Sequence, residues 1–434
     1  MSYLESWFRL KEKGTDIPTE VTAGASTFLT MSYIIFVQPA VLSATGMDFN
    51  AVMMATCVSS AIACLLMAVL ANYPIALAPA MGHNFFFAFT VCGAAAAGGM
   101  GFTWQQALAA NFISGAILLA LCLAGAVDYV IQAVPTCLRH GIAVGIGLLI
   151  ALLGLEWGGV VVDNPGVLVG LGSLHRPPAL LTLFGVFFIA GMMIRKVKGA
   201  ILIGILVNAG LALAFGVAEF KGVAGMPPSI MPTLIKFDFA GLFSHPQFFV
   251  VVAIFIFLDL FDTIGTLVGV GEKAGLVDKD GRMPQGQRAI GADAAATVVG
   301  TALGTSTVTS YIESAAGVAV GGRTGLTAAT TGILFLLAVF FAPLAQTVGG
   351  GYLTANGARL YPVIAPALIV VGSLMFSLAR EINWDDPAEA FSAYLTIIII
   401  PLTVSITEGI AAGFICYSVL MTIKGEFGKV SPLV

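Results

Sequence analysis

The sequence predicts an all-α polytopic membrane protein, and three observations carry that reading. Only 10% of its 434 residues are charged and 58% are hydrophobic, where a soluble domain carries roughly 25% charged residues. Mean hydropathy is +0.99. Apolar runs approaching the roughly 20 residues that span a bilayer recur from end to end. The 51 glycines suit closely packed membrane helices and interrupted backbone. A net charge of −4 argues against nucleic acid as a partner. Cys57, Cys64, Cys92, Cys122, Cys137 and Cys416 lie almost wholly in apolar runs without a CxxC pair or a Cys/His cluster. Buried thiols are therefore expected, with no disulfide framework, metal or other cofactor.

The hydrophobic segments fall near 20–44, 50–71, 75–97, 105–127, 138–156, 179–194 and 199–217. After a more polar connection over 218–245, seven more follow near 246–270, 289–303, 305–320, 325–346, 361–378, 389–404 and 406–424. Several are too short to span alone, so the expectation is about fourteen segments, some of them half-helices. Residues 1–16, with Arg9, Lys11 and Lys13, read as a cytoplasmic arm and not as a cleaved signal. Numbering outward from it leaves only Arg176, Lys221, Lys236 and Arg359 on the far side, so fifteen of the nineteen Lys and Arg face inward. That bias supports the parse, with both termini cytoplasmic.

Seven plus seven is an odd-numbered repeat, so the two halves must lie in opposite orientation. Setting Asn84 against Glu313 aligns the third segment of each half, Pro79-Ala80-Met81-Gly82-His83-Asn84 with Val308-Thr309-Ser310-Tyr311-Ile312-Glu313. Such inverted repeats place a midplane site between broken helices. Pro79 and Gly82 argue against a regular helix in segment 3. In segment 10, the β-branched Thr305, Thr307, Val308, Thr309 and Ile312 favour a short strand. An ordinary polar turn between helices is the competing reading. Extended backbone at membrane depth must be satisfied inside the protein, strand to strand or by a ligand.

The segment over 246–270 contains Asp259 and Asp262. Acids at the centre of a membrane helix cost on the order of 2.5–3.5 kcal/mol each. Three residues apart is about 60° around a helix, so both share one face with Thr263 and Thr266 nearby. A substrate or ion pathway accounts for that cost, and a purely structural pair is the alternative. Asn84 and Glu313 fall at the expected half-helix starts, where free N–H groups point at a ligand. A capping role alone would account for Asn84 equally well. Together these four side chains suit a planar heterocycle with ring N–H donors and carbonyl or ring-nitrogen acceptors. Phe28, Phe85, Phe86, Phe87, Phe257, Phe261 and Tyr311 could cover its faces, although any one Phe is as readily core packing.

Several long motifs resemble one family throughout the chain. They are Thr22-Ala23-Gly24-Ala25-Ser26-Thr27-Phe28-Leu29-Thr30-Met31, Asn72-Tyr73-Pro74-Ile75-Ala76-Leu77-Ala78-Pro79, Phe261-Asp262-Thr263-Ile264-Gly265-Thr266-Leu267-Val268-Gly269, and Gly304-Thr305-Ser306-Thr307 followed by Ser310-Tyr311-Ile312-Glu313-Ser314-Ala315-Ala316-Gly317. In these the sequence resembles the azaguanine-type purine permeases of the nucleobase/ascorbate transporter superfamily. The resemblance implies fourteen segments in two inverted repeats. It also implies a core domain (20–127 and 246–346) and a gate domain (128–217 and 347–424). The implied activity is proton-coupled import of adenine, guanine or hypoxanthine through a bacterial inner membrane, and a homodimer stays open. Substrate contacts carry over onto Asn84, Asp259 and Glu313. Asp262 stands beside them as a coupling or structural acid, although Asp259 and Glu313 could equally take the proton. His83 departs from the pattern, where an apolar residue is expected.

Coupling would follow from desolvation: burial in a narrow apolar cavity favours the protonated form of a carboxyl, so proton and substrate would cross together. An anion transporter of similar architecture is the alternative, but it would want Lys or Arg at the half-helix ends. No HExxH, GxSxG or Walker motif marks an enzyme. Gly265 and Gly269 form a GxxxG step expected to let another helix approach closely.

Overall fold

The computed structural model describes residues 3–94, 99–126, 135–164, 166, 168–276, 283–354, 357–426 and 428. Lys279, Arg282 and Lys429, three of the inward-facing cations, lie outside the described residues. In chain order the elements begin with α1 (Tyr3–Trp7), α2 (Ile17–Met31), α3 (Ile34–Ser43), α4 (Phe49–Leu70), β1 (Leu77–Pro79) and α5 (Met81–Phe85). A π-helical turn (Phe86–Val91) continues α5 and leads to α6 (Trp104–Leu123), α7 (Thr136–Trp157), the hairpin β2 (Val161–Asn164) and β3 (Leu168–Leu171), α8 (Pro177–Ile194) and α9 (Ala200–Ala214). The second half has α10 (Phe239–Ser244), α11 (Phe248–Ala274), α12 (Gly286–Leu303), β4 (Val308–Ser310), α13 (Ser314–Val320), α14 (Gly325–Ala338) and α15 (Ala342–Gly349). The hairpin β5 (Tyr352–Leu353) and β6 (Arg359–Leu360) then precedes α16 (Ala365–Phe376), α17 (Pro387–Thr403) and α18 (Ile406–Ile423).

Among the described residues, eight helical stretches are long and apolar enough to cross a membrane. Two of these are interrupted, the first between α2 and α3 and the seventh between α14 and α15. The helices α9 and α17 are apolar but shorter. Where the sequence placed its third and tenth segments, the chain is broken into a strand and a short helix, β1 with α5 and β4 with α13.

Polar caps fix the helix ends. Asp16 and Asp48 accept from the backbone N–H of Thr19 and Ala51 at 2.8 Å each, and Thr103 with Gln106 forms a capping box on α6. Glu20, fully buried on α2, accepts from the N–H of Arg323, Thr324 and Thr327 at 2.9, 3.3 and 3.2 Å. A carboxylate there satisfies the N–H of Thr327 in the first turn of α14 and those of the two residues leading into it, and complements the helix's positive end, joining the two halves of the chain.

Packing sorts the helices into two sets. The helix α4 packs on α14, α12 and α3, α2 packs on α14 and α13, and α6 packs on α12 and α11. Separately, α7 packs on α16 and α17, α18 packs on α17, and α8 packs on α16 and α9. The expected close approach at the GxxxG step is absent. A Cβ at Gly265 would meet nothing within 4 Å, and one at Gly269 would meet only Ile312 Cδ1, at 3.6 Å. The face of α11 carrying Gly265 is open, not a helix contact.

Candidate functional site

The site is organised by β1 and β4, which come from opposite halves of the chain and pair antiparallel, Leu77 with Ser310, Ala78 with Thr309 and Pro79 with Val308. Ala80 N–H donates to Thr307 O at 2.8 Å and Tyr311 N–H to Ala76 O at 2.9 Å, extending the ladder at both ends. The outer edges are satisfied too. Thr297 of α12 donates its hydroxyl to Val308 O at 2.9 Å and accepts from Val308 N–H at 3.2 Å. Cys64 Sγ of α4 pairs with Leu77 N–H at 3.3 Å and with Leu77 O at 3.4 Å. The buried strands thus have their polar backbone closed by protein, as membrane depth demands.

The helix α5 begins at Met81 with Ala80 as its cap, so Asn84 lies inside the first turn and caps nothing. Asn84 is fully buried; its Nδ2 donates to Gln38 Oε1 at 2.6 Å, and its Oδ1 has no partner among the described residues. Gln38 in turn donates to the hydroxyls of Thr305 and Ser306 at 2.9 and 2.8 Å, just before β4. Glu313 does occupy the cap position of α13, but its side chain makes no cap bond. It accepts instead from the Tyr33 hydroxyl at 2.7 Å. Capping therefore accounts for neither residue.

On α11, Asp259 is 1% exposed. Its Oδ2 lies 3.2 Å from the Thr297 hydroxyl, which shares its proton with Val308 O, and its Oδ1 is buried and meets no N–H or O–H donor among the described residues, although the carboxyl is within hydrogen-bonding reach of that of Asp293. Facing it is Asp293 of α12, fully buried, whose two oxygens accept from the hydroxyls of Thr263 at 2.7 Å and Ser310 at 3.0 Å. Asp262 differs, with 45% of its side chain exposed and an oxygen 3.9 Å from His83 Nδ1. Among the described residues no Lys or Arg pairs with any of these acids.

The proposed aromatic contacts are scattered. Phe257 and Phe261 stack on one another at 6.1 Å and pack against Cys137, Leu138, Tyr417 and Met421. The Arg139 guanidinium stands 5.8 Å above the Phe261 ring. Their helical positions put both on the face of α11 opposite Asp259, so the structure does not bring them to that acid. Phe28 meets Phe335 edge-on at 5.1 Å. Tyr311 spends its hydroxyl on Pro79 O at 2.5 Å. Phe85, Phe86 and Phe87 are fully buried, Phe86 edge-on to Phe255 at 5.0 Å.

Asp293, Gln38, Tyr33 and Thr297 were not singled out by sequence reasoning. The signal that flagged Asp259 and Asp262, acids inside an apolar segment, applies equally to Asp293, the one acid within 289–303. Gln38 is likewise the one amide in the run Ile34–Leu42. What this arrangement offers is a set of acceptors, two of which (Asn84 Oδ1 and Asp259 Oδ1) are buried and meet no donor among the described residues. It suits a ligand that brings N–H donors.

A family model described as "Permease family" matches residues 18–412. A putative permease of Methanocaldococcus jannaschii is 45% identical, over 100% of this chain and 96% of its own length. The adenine permease AdeP of Escherichia coli is 43% identical over 99% of this chain and 93% of its own. The guanine/hypoxanthine permease PbuG of Bacillus subtilis is 42% identical over 99% and 96%. Among solved structures, the transmembrane domain of the cyanobacterial bicarbonate transporter BicA aligns with a TM-score of 0.65 at 16% identity, over 91% of this chain and 97% of that one. SLC26A9 aligns at 0.62 and 11%, over 98% and 67%. These two likenesses establish the fold, that of the inverted-repeat transporters. By motif, by fold and by full-length identity, the chain belongs to the permease family, with adenine and guanine/hypoxanthine permeases among its relatives.

Proposed function

We propose that this chain imports a purine nucleobase together with a proton, by alternating access across a bacterial inner membrane, with both termini cytoplasmic. The substrate class rests on the relatives named for adenine and for guanine/hypoxanthine. The observation that carries the site is the pair of buried acceptors, Asn84 Oδ1 and Asp259 Oδ1, that meet no donor among the described residues. An unmet acceptor away from water costs about 1–3 kcal/mol, and purine ring N–H groups would satisfy both. Glu313, already oriented by Tyr33, is the third contact. Acids without a Lys or Arg partner disfavour an anionic cargo, so the likeness to a bicarbonate transporter extends to fold and not to site.

The coupling acid in this reading is Asp262, the most exposed of the four carboxyls. Protonation removes a charge that would otherwise have to cross desolvated. The two packing sets support a core of 20–127 with 246–346 moving against a gate of 128–217 with 347–424. Uptake of labelled hypoxanthine, guanine and adenine into proteoliposomes, with and without an inward pH gradient, tests this. Asp259→Asn and Glu313→Gln should each abolish uptake. Full gradient-driven uptake in both variants overturns the assignment, and uptake indifferent to the gradient overturns the coupling.

A further inference from the structure

We propose that His83 and Asp262 form a proton-binding pair beside the substrate site, and that this pair sets the pH dependence of transport. The inference rests on the proton-coupled reading above. His83 is the residue at which the sequence departs from an apolar expectation, and it immediately precedes Asn84. The residue is 2% exposed, and among the described residues neither ring nitrogen completes a hydrogen bond. The ring lies beside the Leu258 carbonyl, and its Nδ1 is 3.9 Å from Asp262 Oδ2. A buried imidazole without partners costs folding free energy, so packing alone is a poor reason for it there. One bound proton would turn the pair into a charge-assisted hydrogen bond after a movement of about 1 Å.

Among the described residues Asp262 is the one acid that forms an ion-pair contact with His83. The helix α5 packs against α3, which has none, and against α7 and α11. On α7 the titratable residues, Cys137, Arg139, His140 and Glu156, sit in the end turns, while mid-helix Ile146 is the neighbour of Gly82. On α11 they are Asp259, Asp262, Glu272 and Lys273. Beyond these elements, Asp293 and Glu313 act on Asp262, and Tyr33 and Tyr311 lie around Glu313. Asp262 is the accessible member of the pair, the one through which a proton would enter. Asp262 is 45% exposed, and one turn along α11 a Cβ at Gly265 would meet nothing within 4 Å.

The test uses full-length protein with His83→Gln, which keeps a hydrogen-bonding side chain but cannot titrate, His83→Leu, and Asp262→Asn. Both His83 variants should move the pH midpoint of hypoxanthine uptake by roughly one unit, with KM at the parental optimum within about threefold. The His83 ring signal in NMR, assigned by its loss in His83→Gln, should titrate, with a midpoint that moves by about one unit in Asp262→Asn. A parental uptake profile in His83→Gln, or a His83 midpoint unchanged by Asp262→Asn, overturns the proposal. If parental uptake ignores the gradient, proton coupling has failed, while the ring titration still decides whether the pair exists.

Discussion

Asn84 Nδ2 donates to Gln38 Oε1 across 2.6 Å, and Gln38 Nε2 donates onward to Thr305 and Ser306. One amide on α3 thus holds the first broken helix in register with the loop that opens the second. Gln38→Met should leave the Asn84 donor and two hydroxyls without that partner, at about 1–3 kcal/mol for a buried unsatisfied group. Thermal midpoint and hypoxanthine KM should both worsen, KM by roughly tenfold. A parental KM would mean that Asn84 is positioned by packing alone.

Tyr33 makes a cleaner probe of Glu313, because its hydroxyl is the donor at 2.7 Å and its ring is buried. Tyr33→Phe removes the hydrogen bond and keeps the packing. Hydrogen bonds to charged groups contribute about 1.5–3 kcal/mol, so substrate affinity should fall roughly ten- to a hundredfold. Isothermal titration with hypoxanthine would check this, and a change under about twofold would detach Glu313 from binding.

Asp293 and Asp259 face one another, so they are expected to titrate as a pair and not singly. Asp293→Asn preserves the shape held by Thr263 and Ser310, whose hydroxyls can rotate to accept. The variant should fold, with a single-step pH profile of uptake in place of a two-step one, and with uptake reduced by roughly tenfold. Recovery of folded protein with an unaltered profile would assign Asp293 to architecture.

Two glycines provide a control on packing. A Cβ at Gly317 would sit on the Thr27 hydroxyl and 2.7 Å from Ala23 O, prising α13 from α2. At Gly265 it would meet open space. Gly317→Ala should lower the thermal midpoint, with overpacking costing about 1–3 kcal/mol. Gly265→Ala should leave it unchanged or raise it, since Ala favours a helix by about 1 kcal/mol. A thermal-shift series with both variants separates the two.

Much of this was legible because a bilayer makes polarity expensive. The long spans followed from apolar length, and the acids Asp259, Asp262 and Glu313 stood out as exceptions to it. What escaped was partnership. Nothing local in Tyr33 says that it meets Glu313, 280 residues away. The strands at Leu77–Pro79 and Val308–Ser310 could be read as extended, but their choice of each other is a tertiary fact. The GxxxG step at Gly265 misled for the same reason, since small residues permit an approach without supplying a neighbour. Phe257 and Phe261 were grouped with the acids by closeness in sequence, whereas helical rotation turns them to the far face.

The pairing of β1 with β4 also bears on biogenesis. When Leu77–Pro79 enters the membrane, its ladder partner is still more than 200 residues from being synthesised. Until then its amides and carbonyls have no permanent acceptors or donors in a solvent that supplies none. The first half must therefore be inserted as an unfinished object, kept wet or shielded until residues 308–310 arrive. Assembly is committed late, by a contact of very long sequence separation, and such contacts close slowly. Truncation anywhere before β4 would strand the first repeat as a substrate for membrane quality control.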